Sequence, residues 1–140
     1  MTDPRDQLRD ENEARFRRDF AERRQVTGAL PVQVDFETTT RCNLRCFTCP
    51  RTYSSQRGRD ASPEVFDRFA VATFATARSV NLTGFGEPMV SPHFPHFFQR
   101  CVDAGLHVAF VTNGSLFNEE WIERFVEARV HIFLSVDGVK

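Results

Sequence analysis

Cys42, Cys46 and Cys49 stand in TTRCNLRCFTCPR at 39–51, separated by three residues and then two, and they are three of the chain's four cysteines. Thiolates in that number suit an iron–sulfur cluster, whose irons are held by cysteine. Three ligands on a four-iron cluster leave one coordination position open, which an electron-transfer cluster normally fills and a catalytic one offers to a substrate or cofactor. Structural zinc is the alternative. It takes a fourth ligand, usually from paired Cys-x-x-Cys or Cys/His elements, whereas Cys46 and Cys49 form the one such pair, with no histidine nearby. Cys101 falls with Phe94, Phe97, Phe98 and Val102 on the i, i+3, i+4, i+7, i+8 pattern of a buried helix face and is read as core.

The elements around these residues set where the thiols sit. Val32, Val34 and Phe36 alternate with polar residues as a first strand, so the cysteines lie in the loop leaving its C-terminal end. Ser62 and Pro63 open a helix with the stripe Phe66, Phe69 and Phe74. The plan then repeats. VNLTG at 80–84 is a strand ended by FGEPMV, and SPHFPHFFQRCVDAG is its helix, capped by Ser91 and Pro92 and stopped at Gly105. HVAFVT at 107–112 is a strand ended by Asn113-Gly114, Asn118 caps the helix EEWIERFVEA, and VHIFLSV at 130–136 is a fourth strand. Consecutive units of this kind predict a parallel α/β sheet, with right-handed crossovers placing the helices on one face. Chemistry in such folds gathers at strand C-termini, and those ends carry the cysteines, GFGEP, TNG and SVDG.

Ahead of this lies a charged segment, residues 1–30, predicted as a helix over 3–25 and a linker. Its thin apolar seam is Leu8, Phe16 and Phe20, and the helix is expected to pack on the outside of the domain. The core domain is residues 31–140. A chain of 140 residues with a net charge of −1 gives no nucleic-acid signal. The charged N-terminal stretch contains neither a secretory signal nor a membrane span, so the expected compartment is the cytoplasm, where clustered cysteines mean metal or catalysis. Arg51, Arg57 and Arg59 read as a solvated loop, and His93, His96, His107 and His131 share no ligand spacing.

CNLRCFTCP after the first strand, followed in order by GFGEP, TNG and SVDG, resembles the radical S-adenosylmethionine (radical SAM) superfamily over roughly residues 32–138, in the form found in its molybdenum-cofactor and peptide-maturase branch. The resemblance implies that Cys42, Cys46 and Cys49 ligate three irons of a [4Fe–4S] cluster, and that SAM chelates the fourth. It implies that Gly84, Phe85, Gly86, Glu87 and Pro88 meet the methionyl end of SAM, with glycine permitting close backbone approach. Thr112, Asn113, Ser135 and Asp137 match further SAM-contacting positions. The implied activity is reductive cleavage of SAM to a 5′-deoxyadenosyl radical that abstracts hydrogen from a substrate, either a peptide or protein or a small molecule. A flavodoxin or ferredoxin would supply the electron. The alternatives are a non-catalytic iron–sulfur module and a zinc-binding structural module.

Two positions depart from the family pattern. Thr48 stands where many relatives have an aromatic residue, and Phe85 separates glycines that are usually adjacent in this branch. The family's partial (βα) barrel has six units, against four strands here. The chain is therefore expected to be the N-terminal part of such a barrel, incomplete at its C-terminus, with strand four as an exposed apolar edge.

Overall fold

Parallel strands cannot be joined by tight hairpins, so each strand in this sequence needs the helix that follows it. The computed structural model describes residues 4–55 and 57–136. Helix α1 (Pro4–Ala21) leads into strand β1 (Gln33–Asp35). Then follow α2 (Pro63–Thr73), β2 (Ser79–Asn81), α3 (Phe94–Asp103), β3 (His107–Thr112), α4 (Glu119–Glu127) and β4 (His131–Leu134). The sheet order is β1-β2-β3-β4, parallel throughout, with Val34 opposite Val80, Val80 opposite Val108 and Phe110 opposite Ile132. This is the expected α/β architecture, an open sheet compatible with a partial barrel.

One apolar cluster joins the sheet to its three crossover helices. Val34, Val80, Val108 and Phe110 point to it from the strands, Leu82 from just past β2, and Phe66, Phe94, Phe97, Phe98 and Phe125 from the helices. The phenylalanines interlock, Phe66 and Phe97 with ring centroids 4.6 Å apart and Phe98 and Phe125 at 5.4 Å. The next residue along each strand faces the other way, and there Asn81 donates to Asp35 at 2.8 Å. Phe133 and Leu134 of β4, and Val136 beyond it, are exposed as expected of an apolar edge.

The helix starts follow their capping residues, with one exception. Ser62 accepts the Val65 N–H and Asn118 accepts the Trp121 N–H at 2.9 Å. Helix α3 was expected to start at Ser91-Pro92 but starts at Phe94, with His93 as its cap. The reason is local. GFGEP runs on into a short 3-10 turn, Pro88–Val90, and Ser91 closes that turn while its hydroxyl accepts the His93 N–H. Gly105, at φ +68, ends α3 in the left-handed region.

Helix α1 is held by polar side chains. It packs on the outside of the domain, but not through its apolar seam: Leu8, Phe16 and Phe20 are exposed, and the buried residues are Arg9, Asn12 and Asp19. Arg9 donates through Nη2 to the carbonyls of Phe74 and Ala104, the C-terminal caps of α2 and α3. Asn12 exchanges two hydrogen bonds with the backbone of Leu30, and Asp19 accepts the Gly28 N–H at 2.7 Å and the Thr27 hydroxyl. The Gly28 bond, with Thr27 next, holds the Asp19 carboxyl below its ordinary pKa. Arg78 adds ion pairs to Asp10 and Glu13. Directional polar contacts dock this helix, and hydrophobic periodicity does not show them.

Candidate functional site

The loop bearing the cysteines begins with a polar stem. Residues 38–41 run antiparallel to 58–61: Thr40 N–H donates to the Arg59 carbonyl, Ala61 N–H to the Thr38 carbonyl, and Thr39 bridges Asp60. The Thr39 hydroxyl and Arg41 both reach the Asp60 carboxylate, at 2.7 Å and 2.8 Å. Burial pushes the Asp60 carboxyl up, but the Thr39 and Arg41 hydrogen bonds outweigh it and hold it below its ordinary pKa. Arg41 Nη2 also donates to the Val90 carbonyl, tying the stem to the loop after β2.

Beyond the stem the cysteine loop is braced by its own residues. Cys49 N–H donates to the Cys46 carbonyl, Thr52 hydroxyl to the same carbonyl, and Tyr53 hydroxyl to the Phe47 carbonyl. A short 3-10 helix, Pro50–Tyr53, follows the third cysteine. Arg51, read from sequence as part of a solvated loop, donates to the Leu44 carbonyl at 2.7 Å and pins the two sides of the loop together.

Four loops meet above the strand ends. Cys42, Cys46, Cys49, Gly84, Phe85, Gly86, Glu87, Thr112, Asn113 and Ser135 line one open cavity of about 270 Å³, joined by Thr48, Thr83 and Val111. Pro88 does not line it; it is buried and starts the 3-10 turn. Asp137 lies outside the described residues. Cys101 is fully buried in the core, where desolvation raises its thiol pKa to about 12.

The two glycines of GFGEP have local partners. A Cβ on Gly86 would collide with the Thr39 and Arg41 carbonyl oxygens, and one on Gly84 with the Glu37 side chain. Gly86 therefore lets the β2 loop lie against the stem of the cysteine loop, and Glu87 N–H donates to the Arg41 carbonyl there. Glu37 accepts the Phe85 N–H. The Glu87 carboxylate is buried and turned toward β3, accepting the Thr112 hydroxyl at 2.7 Å and the Asn113 N–H at 2.8 Å. Sequence reading missed Glu37, Asn43, Asp60 and Ser115, which hold this site from behind. Each is a common polar residue in a loop, and only the fold shows what it faces.

Residues 36–140 match the family model described as the Radical SAM superfamily. The chain belongs to the radical SAM superfamily. Members of this superfamily use a [4Fe–4S] cluster and SAM. Its curated relatives include the tungsten-containing aldehyde ferredoxin oxidoreductase cofactor-modifying protein of Pyrococcus furiosus, 28% identical over 104 residues, covering 72% of this chain and 29% of that protein. The AdoMet-dependent heme synthase of Methanosarcina barkeri is 28% identical over 110 residues, covering 77% of this chain and 32% of that protein. The chain thus spans under a third of the length of either relative. Among solved structures, BtrN in complex with AdoMet and 2-DOIA aligns with a TM-score of 0.65 at 17% identity, covering 79% of this chain and 48% of that one. At that identity the likeness establishes the radical SAM fold and nothing finer.

Proposed function

We propose that residues 31–140 form a radical SAM core that binds a [4Fe–4S] cluster and SAM, and that residues 1–30 are a docked N-terminal helix and linker. The observation that carries this reading is the single cavity shared by Cys42, Cys46 and Cys49 with Gly84, Phe85, Gly86, Glu87, Thr112, Asn113 and Ser135. The donor set fits the cluster. Three thiols line one cavity, which matches the ligation of an iron–sulfur cluster by cysteine, and among the described residues the lining includes no histidine and no fourth cysteine of the kind a structural zinc site takes.

In this reading Cys42, Cys46 and Cys49 each hold one iron. Gly84, Phe85 and Gly86 offer backbone to the methionyl group of SAM, and Glu87 fixes that loop against β3. Thr112, Asn113, Ser135 and Asp137 are the remaining polar contacts for SAM, and Pro88 sets the turn behind them. When bound, cluster and cofactor supply a 5′-deoxyadenosyl radical for hydrogen abstraction. A single-electron donor of flavodoxin or ferredoxin type completes the chemistry. The four cysteines are free thiols, which fits the reducing cytoplasm, and among the described residues no helix is long and apolar enough to cross a membrane.

Anaerobic reconstitution with iron and sulfide tests the proposal. About four irons per chain, an EPR signal of the reduced protein that SAM perturbs, and release of 5′-deoxyadenosine on reduction are expected. A colourless protein holding stoichiometric zinc overturns it.

A further inference from the structure

Of the three clustered thiols, Cys42 is set apart by what surrounds its sulfur. Leu44 N–H donates to Cys42 Sγ at 3.4 Å, and Asn113 Nδ2 points at the same sulfur at 3.8 Å. The Asn113 amide is held in one orientation by its neighbours. Its Oδ1 accepts the Ser115 N–H at 2.9 Å and the Ser115 hydroxyl at 2.6 Å, so its NH₂ must face the other way. There Nδ2 donates to Asn43 Oδ1 at 3.0 Å, and Asn43 Nδ2 donates to Ser115 Oγ at 2.7 Å, which closes a ring of three side chains. The Asn113 backbone is fixed as well, by its N–H bond to buried Glu87. The protonated Cys42 thiol has its own contact with Asn43 Oδ1 at 4.0 Å. That contact disappears once the sulfur is a thiolate ligand, leaving Asn113 and Leu44 as donors to a more strongly accepting sulfur.

Hydrogen bonds to cluster sulfurs are among the factors that set the reduction potential of iron–sulfur clusters. A neutral N–H favours the more electron-rich, reduced state, so each added donor moves the potential upward. We propose that Asn113, oriented by Asn43 and Ser115, is a positioning residue that donates to the Cys42 ligand and raises the reduction potential of the cluster. The inference rests on the reading of Cys42 as a cluster ligand. It adds to the SAM contact proposed for Asn113 an action on the cluster that holds whether or not SAM is bound.

The test is an EPR-monitored redox titration of the reconstituted chain without SAM, comparing wild type with Asn113→Ala. At the wild-type midpoint the reduced-to-oxidised ratio is expected to fall about threefold to tenfold, the tenfold limit being a shift of about 59 mV for one electron. Ser115→Ala removes the hydroxyl from the ring but keeps the Ser115 backbone N–H on Asn113 Oδ1, so it loosens the amide without releasing it and is expected to shift the potential in the same direction by less. It also serves if Asn113→Ala does not fold. An unchanged SAM-free potential in either variant, with SAM perturbation of the EPR signal lost in Asn113→Ala, overturns the inference and leaves Asn113 a SAM contact alone. Failure of the wild type to assemble any cluster overturns instead the reading of the cysteines on which the inference stands.

Discussion

Glu87 and Thr112 are joined by a 2.7 Å hydrogen bond in the buried floor of the cavity, and that bond crosses from the loop after β2 to the end of β3. The same carboxylate takes the Asn113 N–H through its other oxygen. The side chain is thereby occupied by protein partners, so its service to the site is to hold two strand-end loops in register.

Glu87→Gln keeps the shape and removes one acceptor. The amide oxygen can stay on the Asn113 N–H while Thr112 turns its hydroxyl to accept from the new NH₂ group, so the variant loses the charge on the acceptor and leaves the Met89 N–H, which the carboxylate accepts at 3.4 Å, facing that NH₂. A buried charge-assisted hydrogen bond contributes about 1.5–3 kcal/mol. Urea unfolding of the variant is expected to show a loss of that order, together with lower iron retention.

Gly86→Ala is expected to be worse than Gly84→Ala. At position 86 the new methyl meets two backbone carbonyls of the cysteine-loop stem, and backbone cannot step aside cheaply. At position 84 its nearest contacts all lie in the Glu37 side chain, from Cγ outward, which can swing away at the cost of its bond to Phe85 N–H. Overpacking of this kind costs about 1–3 kcal/mol. Iron content after reconstitution should fall clearly in Gly86→Ala and slightly in Gly84→Ala; equal loss would remove the distinction.

The order of strands, the helices and the strand ends that carry the site were legible because each rests on short-range pattern. β3 has the bounds its alternation predicts. β2 was expected over 80–84 and ends at Asn81, because the Thr83 hydroxyl, in place of a backbone carbonyl, accepts the Val111 N–H. Periodicity is blind to that exchange. It is equally blind to long-range polar docking, such as that of α1 through Arg9, Asn12 and Asp19. The cysteines could be found from spacing, and GFGEP and TNG from their place at strand ends and the family resemblance, but the ring of Asn43, Asn113 and Ser115 joins residues about seventy positions apart and exists only once β1 and β3 share a sheet.

Docking of α1 therefore has a specific weak point. Arg9→Ala removes two charge-assisted bonds that close the ends of α2 and α3, and a cost of about 2–4 kcal/mol is expected. Phe16→Ser, on the exposed seam, should change stability by no more than about 0.5 kcal/mol. Thermal or urea unfolding of the two variants decides whether polar or apolar contacts carry the helix.

Asp60 links site integrity to pH. Its folded-state pKa lies below the ordinary 3.8, so its pairing with Thr39 and Arg41 stabilises the stem fully above that value. The contribution is lost as pH falls through the lower folded-state value. Wild type is expected to exceed Asp60→Asn in stability at neutral pH, with the gap closing as the solution is taken below 3.8. A gap independent of pH would mean that the carboxylate charge is not what holds the stem.

The four cysteines should separate cleanly in their chemistry. Cys42, Cys46 and Cys49 are partly exposed, whereas Cys101 is buried with a thiol pKa of about 12. In the native apo chain iodoacetamide is expected to label the first three and leave Cys101 untouched, since thiolate and access are both required. Cys49→Ala should prevent stable cluster assembly. Cys101→Ala should keep the iron and lose about 1 kcal/mol to the small void left in the apolar core. Equal iron loss in the two variants would place Cys101 among the ligands and overturn the assignment.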